Sequence, residues 1–177
     1  IEVLGNVDAI AVEDTRHSGK LLQHLAISTP MFALHEFNEK QKVEAVIERI
    51  LNGDNIALIS DAGTPLISDP GYQLVKYAHS KVVRVTPVPG VSAIIAALSC
   101  AGLPSDRFTF EGFLPNKTTA RTASLKALKA EQPTIIFYEA PHRIFACLKD
   151  MCQVFGDERH VVLARELTKT FETVHGD

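Results

Sequence analysis

Short runs of β-branched and aliphatic residues alternate with helical patterns along almost the whole chain, and that rhythm restricts the fold more than any other feature. It is the signature of an α/β protein with a largely parallel sheet. Ala9-Ile10-Ala11-Val12, residues 31–34, Ile56-Ala57-Leu58-Ile59 and residues 82–85 read as four strands, with helices predicted over 18–25, 38–51 and 72–78. Asn38 is the expected cap of the longest helix, whose apolar residues Val43, Val46, Ile47, Ile50 and Leu51 recur at helical spacing before Asn52-Gly53 closes it. Residues 91–101 are helix-compatible and apolar nearly all round, which predicts burial. Gly102-Leu103-Pro104-Ser105 then acts as punctuation, and a second set of elements follows. Strands are predicted at 108–110, 134–138 and 160–164, and helices at 117–130 and 141–154, the latter begun by a proline in its first turn. The boundary is expected near 104–115, giving domains 1–106 and 107–177.

A content of 46% hydrophobic and 22% charged residues in 177 residues suits an ordinary folded chain of one domain or two small ones. Cys100, Cys147 and Cys152 are an odd count without metal-ligand spacing, so a reducing compartment fits better than a disulfide framework or a zinc site. No apolar run reaches membrane-span length and no charged-then-apolar leader opens the chain, so a cytoplasmic setting without membrane contact is expected. The net charge of −3 argues against a general nucleic-acid binder, and any RNA contact has to be local. The one basic cluster is Lys117, Arg121, Lys126 and Lys129, with Arg143 further along; the plainer reading is a solvated helix face.

In open α/β sheets ligands lie against the carboxyl ends of strands. Four segments here take that position. Ser60-Asp61-Ala62-Gly63-Thr64-Pro65 sets a carboxylate beside small residues that let a ligand reach the backbone, although Asp61 could equally cap the turn. Pro87-Val88-Pro89-Gly90-Val91-Ser92-Ala93 is stiffened by two prolines, and Ser92 stands where a helix starts, as a ligand loop or as a rigid turn with a serine cap. Phe137-Tyr138-Glu139-Ala140-Pro141-His142-Arg143 ends a strand with two aromatics and gathers an acid, a histidine and an arginine; a Glu139–Arg143 salt bridge is its structural alternative. Glu13-Asp14-Thr15-Arg16-His17 is too rich in charge for a core, and offers an arginine for phosphate and groups able to handle a proton. There is no phosphate-binding G-x-x-x-x-G-K-[ST], no G-x-G-x-x-G, no G-x-S-x-G and no H-E-x-x-H, which removes support for kinase-like, dinucleotide-reductase and serine-hydrolase readings.

In this order and spacing, Ala11-Val12-Glu13-Asp14-Thr15-Arg16-His17, Ser60 to Pro65 with Ser68-Asp69-Pro70-Gly71, Pro87-Val88-Pro89-Gly90, Gly102-Leu103-Pro104-Ser105 with Phe113-Leu114-Pro115, Phe137-Tyr138-Glu139 with His142-Arg143, and Ala164-Arg165-Glu166-Leu167-Thr168-Lys169 form a set. The set resembles the small-subunit ribosomal RNA methyltransferases of the tetrapyrrole-methylase (class III methyltransferase) fold, over essentially the whole chain. The resemblance implies two α/β domains with S-adenosylmethionine in the cleft between them, a homodimer, and 2'-O-methylation of a cytidine ribose in the decoding region of small-subunit ribosomal RNA. It implies a cofactor pocket lined by Asp61, Ala62, Gly63, Val88, Ser92, Ala93, Phe137, Tyr138 and Leu167. Glu13, Asp14, Arg16, Glu139 and His142 are the candidates for the chemistry, the proton acceptor among them left open. Arg16, Lys117, Arg121 and Arg143 are the candidates for RNA contact, and no metal is implied. The family pattern also has an earlier strand with a Pro-Thr-Pro-Ile-Gly-Asn loop and a longer second domain, so the chain reads as a fragment whose second domain is incomplete. A porphyrin or corrin-precursor methyltransferase of the same fold, or a non-catalytic fragment, are the competing readings; the Glu-Asp-Thr-Arg-His string favours RNA.

Overall fold

The computed structural model describes residues 1–176 and divides into two compact units, one ending at Val91 and one beginning at Ser92. The break falls ahead of the punctuation at 102–105, because the apolar helix before it groups with the second unit.

The first unit runs α1 (Glu2–Asn6), β1 (Ala9–Val12), α2 (Thr15–His24), β2 (Met31–Ala33), α3 (Glu39–Leu51), β3 (Ile56–Ile59) and α4 (Tyr72–Ser80). Its sheet is parallel with order β2-β1-β3, and Ile10 lies opposite both Met31 and Ala57. All four residues of the central strand β1 are buried, which explains why it reads as an unbroken apolar run. Alternate residues serve opposite faces. Ala11 packs with Leu34, Val43, Val46, Ile47, Leu74 and Ala78 of the α3 and α4 layer, while Ile10 and Val12 pack with Leu22 of α2 and with Leu4 and Val7. With helices on both faces, the strand ends are what the sheet leaves accessible, and β1 and β3 deliver Glu13 and Ser60 there side by side.

The second unit runs α5 (Ala93–Cys100), β4 (Phe108–Phe113), α6 (Thr118–Ala127), β5 (Thr134–Tyr138), α7 (Ile144–Phe155), β6 (Val162–Arg165) and β7 (Thr173–Gly176). β4 and β5 pair in parallel, and β6 and β7 antiparallel. The core under β5 joins Leu114, Leu125, Cys147 and Val154 with Phe137, Met151 and Phe155. A bulge between Phe110 and Gly112, with Gly112 at φ +65°, inserts one residue into β4. Phe110 and Phe113 thereby share a face, where both meet the Tyr138 ring at centroid distances of 4.8 and 5.5 Å. No helix among the described residues is long and apolar enough to cross a membrane.

Several further sequence expectations differ. Residues 82–85 form no strand: the amides of Lys81, Val82 and Val83 bond back to Tyr77, His79 and Ala78, and Val82 takes φ +58° to close α4. The Asn38 side chain does not cap α3; its Oδ1 accepts from the His35 N–H at 2.9 Å instead. α5 buries only Ile94, and Ile95 is 54% exposed. α7 starts at Ile144, since residues 140–143 make a turn closed by Arg143 N–H to the Ala140 carbonyl. β7 was not anticipated, its Thr-Val-His-Gly sequence carrying little strand signal.

Candidate functional site

The carboxyl ends of β1 and β3 gather an acidic group in the first unit. Glu13 is half-buried, accepts from the Asp61 backbone N–H, and faces the charges of Asp61 and Asp69. Burial first, then the charges of Asp69 and Asp61, raises the Glu13 carboxyl above the usual range, while the Asp61 backbone N–H and then His35 act the other way. Burial likewise raises Asp69, against a hydrogen bond from Ser60. The Ser18 hydroxyl of α2 reaches Asp61 Oδ1 at 3.5 Å, tying the base of that helix to the loop after β3. That loop carries positive φ at Gly63, Leu66, Ser68 and Gly71, and Ala62 and Gly63 expose their backbone with open space above the Gly63 Cα. The Thr64 hydroxyl donates to the Val91 carbonyl at 2.9 Å, which joins this loop to the exposed stretch 86–91 that includes Val88. Glu39, 7% exposed, accepts from the Leu74 N–H at 3.0 Å and so satisfies the first turn of α4, where the 60–71 loop ends.

Raised carboxyls have a definite sign in stability. A Glu13 that binds its proton more tightly folded than unfolded contributes stability that is complete below the unfolded value, ~4.3, and is lost as pH rises through the raised folded value. Glu13→Gln is therefore expected to flatten the fall in stability between about pH 4 and pH 7. Urea unfolding at the two pH values checks this; an identical pH dependence in the variant contradicts it.

Asp14 and Arg16 occupy each other. The Asp14 carboxylate caps α2 by accepting from the Arg16 N–H at 2.8 Å, and it takes Arg16 Nη2 at 2.8 Å and Nε at 3.2 Å. These contacts hold Asp14 well below the ordinary carboxylate range, which makes it a poor proton acceptor.

The second unit corrects two of the RNA candidates. Arg121 is no surface cation: with 4% of its side chain exposed it binds Asp150 Oδ2 through Nε and Nη2, both at 2.7 Å, and donates to the Asn116 carbonyl at 3.0 Å. Burial of a guanidinium requires such a full set of acceptors. Arg143, 18% exposed, lies with Nε 3.1 Å from Glu139 Oε1 and donates through Nη2 to the Leu114 carbonyl. The salt-bridge alternative for Glu139 is thus the observed one, and the 6%-exposed carboxylate also accepts from the Ala140 N–H at 2.8 Å. Both contacts fall on Oε1, and Glu139 Oε2 is buried without a hydrogen-bond partner. Cys147, beneath it, is pushed up to about 11 by burial and by Glu139. His142 and Lys117 are exposed; Ser92 occupies the N-cap of α5 without a capping bond, ahead of Ala93. Phe137 packs into the core and Tyr138 against the two phenylalanines, while Leu167 is half-buried between Glu166 and Thr168, both at positive φ. Sequence reasoning missed Ser18, Glu39, Thr64 and Asp69 as site-shaping residues; Asp69 within Asp69-Pro70-Gly71 after a strand was the readable signal.

The profile of the tetrapyrrole (corrin/porphyrin) methylases matches residues 1–176. The chain belongs to the tetrapyrrole methylase family. It is 58% identical over 176 residues to ribosomal RNA small subunit methyltransferase I of Escherichia coli O157:H7, an alignment covering 99% of this chain and 62% of that protein. It is 59% identical to the Vibrio cholerae serotype O1 protein of that name, over 99% of this chain and 61% of the relative. This tetrapyrrole methylase chain thus spans about three-fifths of the length of those relatives. Among solved structures it matches a cobalt precorrin-4 methyltransferase of cobalamin biosynthesis with TM-score 0.66 and 17% identity, over 99% of this chain and 76% of the other. It matches the methyltransferase CobJ with TM-score 0.67 and 15% identity, covering 99% and 77%. At such identities the likeness carries the fold and not the substrate.

Proposed function

We propose that this chain is part of a cytoplasmic, homodimeric S-adenosylmethionine-dependent methyltransferase that methylates the 2'-oxygen of a cytidine ribose in the decoding region of small-subunit ribosomal RNA. The observation that carries the reading is the joining of the 60–64 loop to the 86–91 stretch by Thr64, beside the Glu13 carboxyl, in a chain 58% identical to a ribosomal RNA methyltransferase. The loops fit the cofactor: Asp61 can accept from ribose hydroxyls or an amino group, and Ala62 and Gly63 let a ligand approach the backbone. Val88 adds an apolar contact from the neighbouring stretch. From the second unit Ser92, Ala93, Phe137, Tyr138 and Leu167 complete the set by family likeness.

Bound S-adenosylmethionine supplies an electrophilic methyl group, so the chain's task is to align a ribose oxygen and accept its proton. Of the five candidates, Glu13 suits that role best, because its carboxyl is more basic than usual and it is half-buried at the end of β1 beside the 60–64 loop. Arg16, 89% exposed on its side chain, engages phosphate or ribose, and its grip on Asp14 sets its direction. His142 and Lys117 stay as exposed second-unit contacts to RNA.

Calorimetric titration with S-adenosylmethionine tests the pocket. Asp61→Ala is expected to weaken binding at least tenfold, about 1.4 kcal/mol, with unfolding stability changed little. Equal affinities in the two proteins would remove Asp61 from the site.

A further inference from the structure

We propose that the outer face of α2 is a track for the phosphodiester backbone of the RNA substrate. The inference rests on the proposed function and extends it from Arg16 to Lys20 and the two histidines of the helix.

Between Thr15 and His24 the chain carries Arg16, His17, Lys20 and His24 and no acid, in a molecule whose net charge is −3. All four are exposed, whereas Ser18 and Leu22 turn inward. The other helices offer less: α4 also lacks an acid but carries only Lys76 and His79. α3 interleaves Glu39, Glu44 and Glu48 with its cations, and α6 spends Arg121 on Asp150, leaving Lys126 alone within its span. Arg16, Lys20 and His24 stand four residues apart, ~6 Å per step along the axis, comparable to the separation of successive phosphates in an extended strand. Arg16 gives two of its five N–H donors to Asp14, and the rest of the guanidinium faces solvent.

The position follows from the chemistry. A ribose whose 2'-oxygen is to be methylated brings its flanking phosphates within a nucleotide of the reacting atom. α2 begins at Thr15, two residues after Glu13, so Arg16 follows the site closely in sequence, while on the inward side Ser18 reaches Asp61 of the proposed cofactor loop. The nearby carboxylates Glu13, Asp61 and Asp69 repel a polyanion, and cations on the adjoining helix offset that repulsion.

The test compares wild type, Lys20→Glu and a charge-matched control, Lys126→Glu on α6, in binding to purified small-subunit ribosomal RNA over a salt series. S-adenosylmethionine affinity and methyl transfer to small ribosomal subunits are measured on the same preparations. Lys20→Glu is expected to lose about tenfold in RNA affinity and to lower the salt slope by about 0.7, one phosphate's worth on a single strand. Cofactor affinity stays at the wild-type value, and Lys126→Glu stays within twofold in RNA binding. RNA affinity within twofold of wild type for Lys20→Glu overturns the proposal, as does an equal loss in Lys126→Glu, which reports net charge and not this face. Wild type that binds RNA with this pattern but transfers no methyl group supports the track and strikes the functional reading alone.

Discussion

Arg121→Ala is expected to destabilise the second unit by about 3–5 kcal/mol, the scale for stranding one partner of a buried ion pair. The variant leaves the Asp150 carboxylate, 9% exposed, without its cation and frees the Asn116 carbonyl. The pair links α6 to α7 across the core of Leu125 and Cys147, so the loss spreads to the packing of both helices. Arg121→Met combined with Asp150→Leu is expected to recover most of the loss, because two apolar side chains leave no charge to desolvate. Urea unfolding of the wild type and the two variants checks this. A cost below about 1 kcal/mol for Arg121→Ala, the scale of an exposed pair, would show that solvent reaches the guanidinium.

Gly71→Ala is expected to cost the first unit about 3 kcal/mol, from backbone strain and overpacking together. Gly71 sits at φ +126°, and a Cβ built there lies 2.6 Å from Leu58 Cδ2 and 2.8 Å from Leu66 Cδ1. Leu58 belongs to β3 and packs on the α3 and α4 core, which restricts how far it can retreat. Because Gly71 is the N-cap of α4 and ends the loop that begins at Ser60, the same variant is expected to weaken S-adenosylmethionine binding. Denaturation and calorimetry on one preparation separate the two effects. A variant within 0.5 kcal/mol of wild type, the range of substitutions at sites without special constraint, would mean the loop absorbs the methyl group by moving.

Two strands, one in each unit, were legible as continuous apolar runs. Ile56–Ile59 and Thr134–Tyr138 begin and end where their runs do. The 82–85 run misled for a physical reason: strand propensity there yields to the closing turn of α4, whose carbonyls take the Val82 and Val83 amides. Helix starts were harder. The Asp14 carboxylate, a chemistry candidate in the sequence, caps the helix and so begins α2 at Thr15, ahead of the expected start near 18. The fates of Arg121 and Arg143 differ instructively. The Arg143 partner, Glu139, lies four residues away and was readable as a salt bridge, while Asp150 lies 29 residues from Arg121 and becomes its partner only through the packing of α6 on α7. Glu39 shows the converse, an acid on the apparently polar side of α3 that the fold buries to satisfy the Leu74 amide. Site loops were legible from Gly, Pro and Asp after strands; Thr64, which ties two of them together, was not, since nothing local marks a hydroxyl whose acceptor is 27 residues on.

The central claim is ribose methylation of small-subunit ribosomal RNA with Glu13 accepting the proton. Methyl-labelled S-adenosylmethionine incubated with the protein and purified small ribosomal subunits, followed by nuclease mapping of the label, tests it most directly. The account predicts label on the 2'-oxygen of one cytidine in the decoding region, with turnover by Glu13→Gln reduced at least a hundredfold at unchanged cofactor affinity, on the scale of losing a general base. Label on a base, or on no RNA while a porphyrin or corrin precursor becomes methylated, would contradict it.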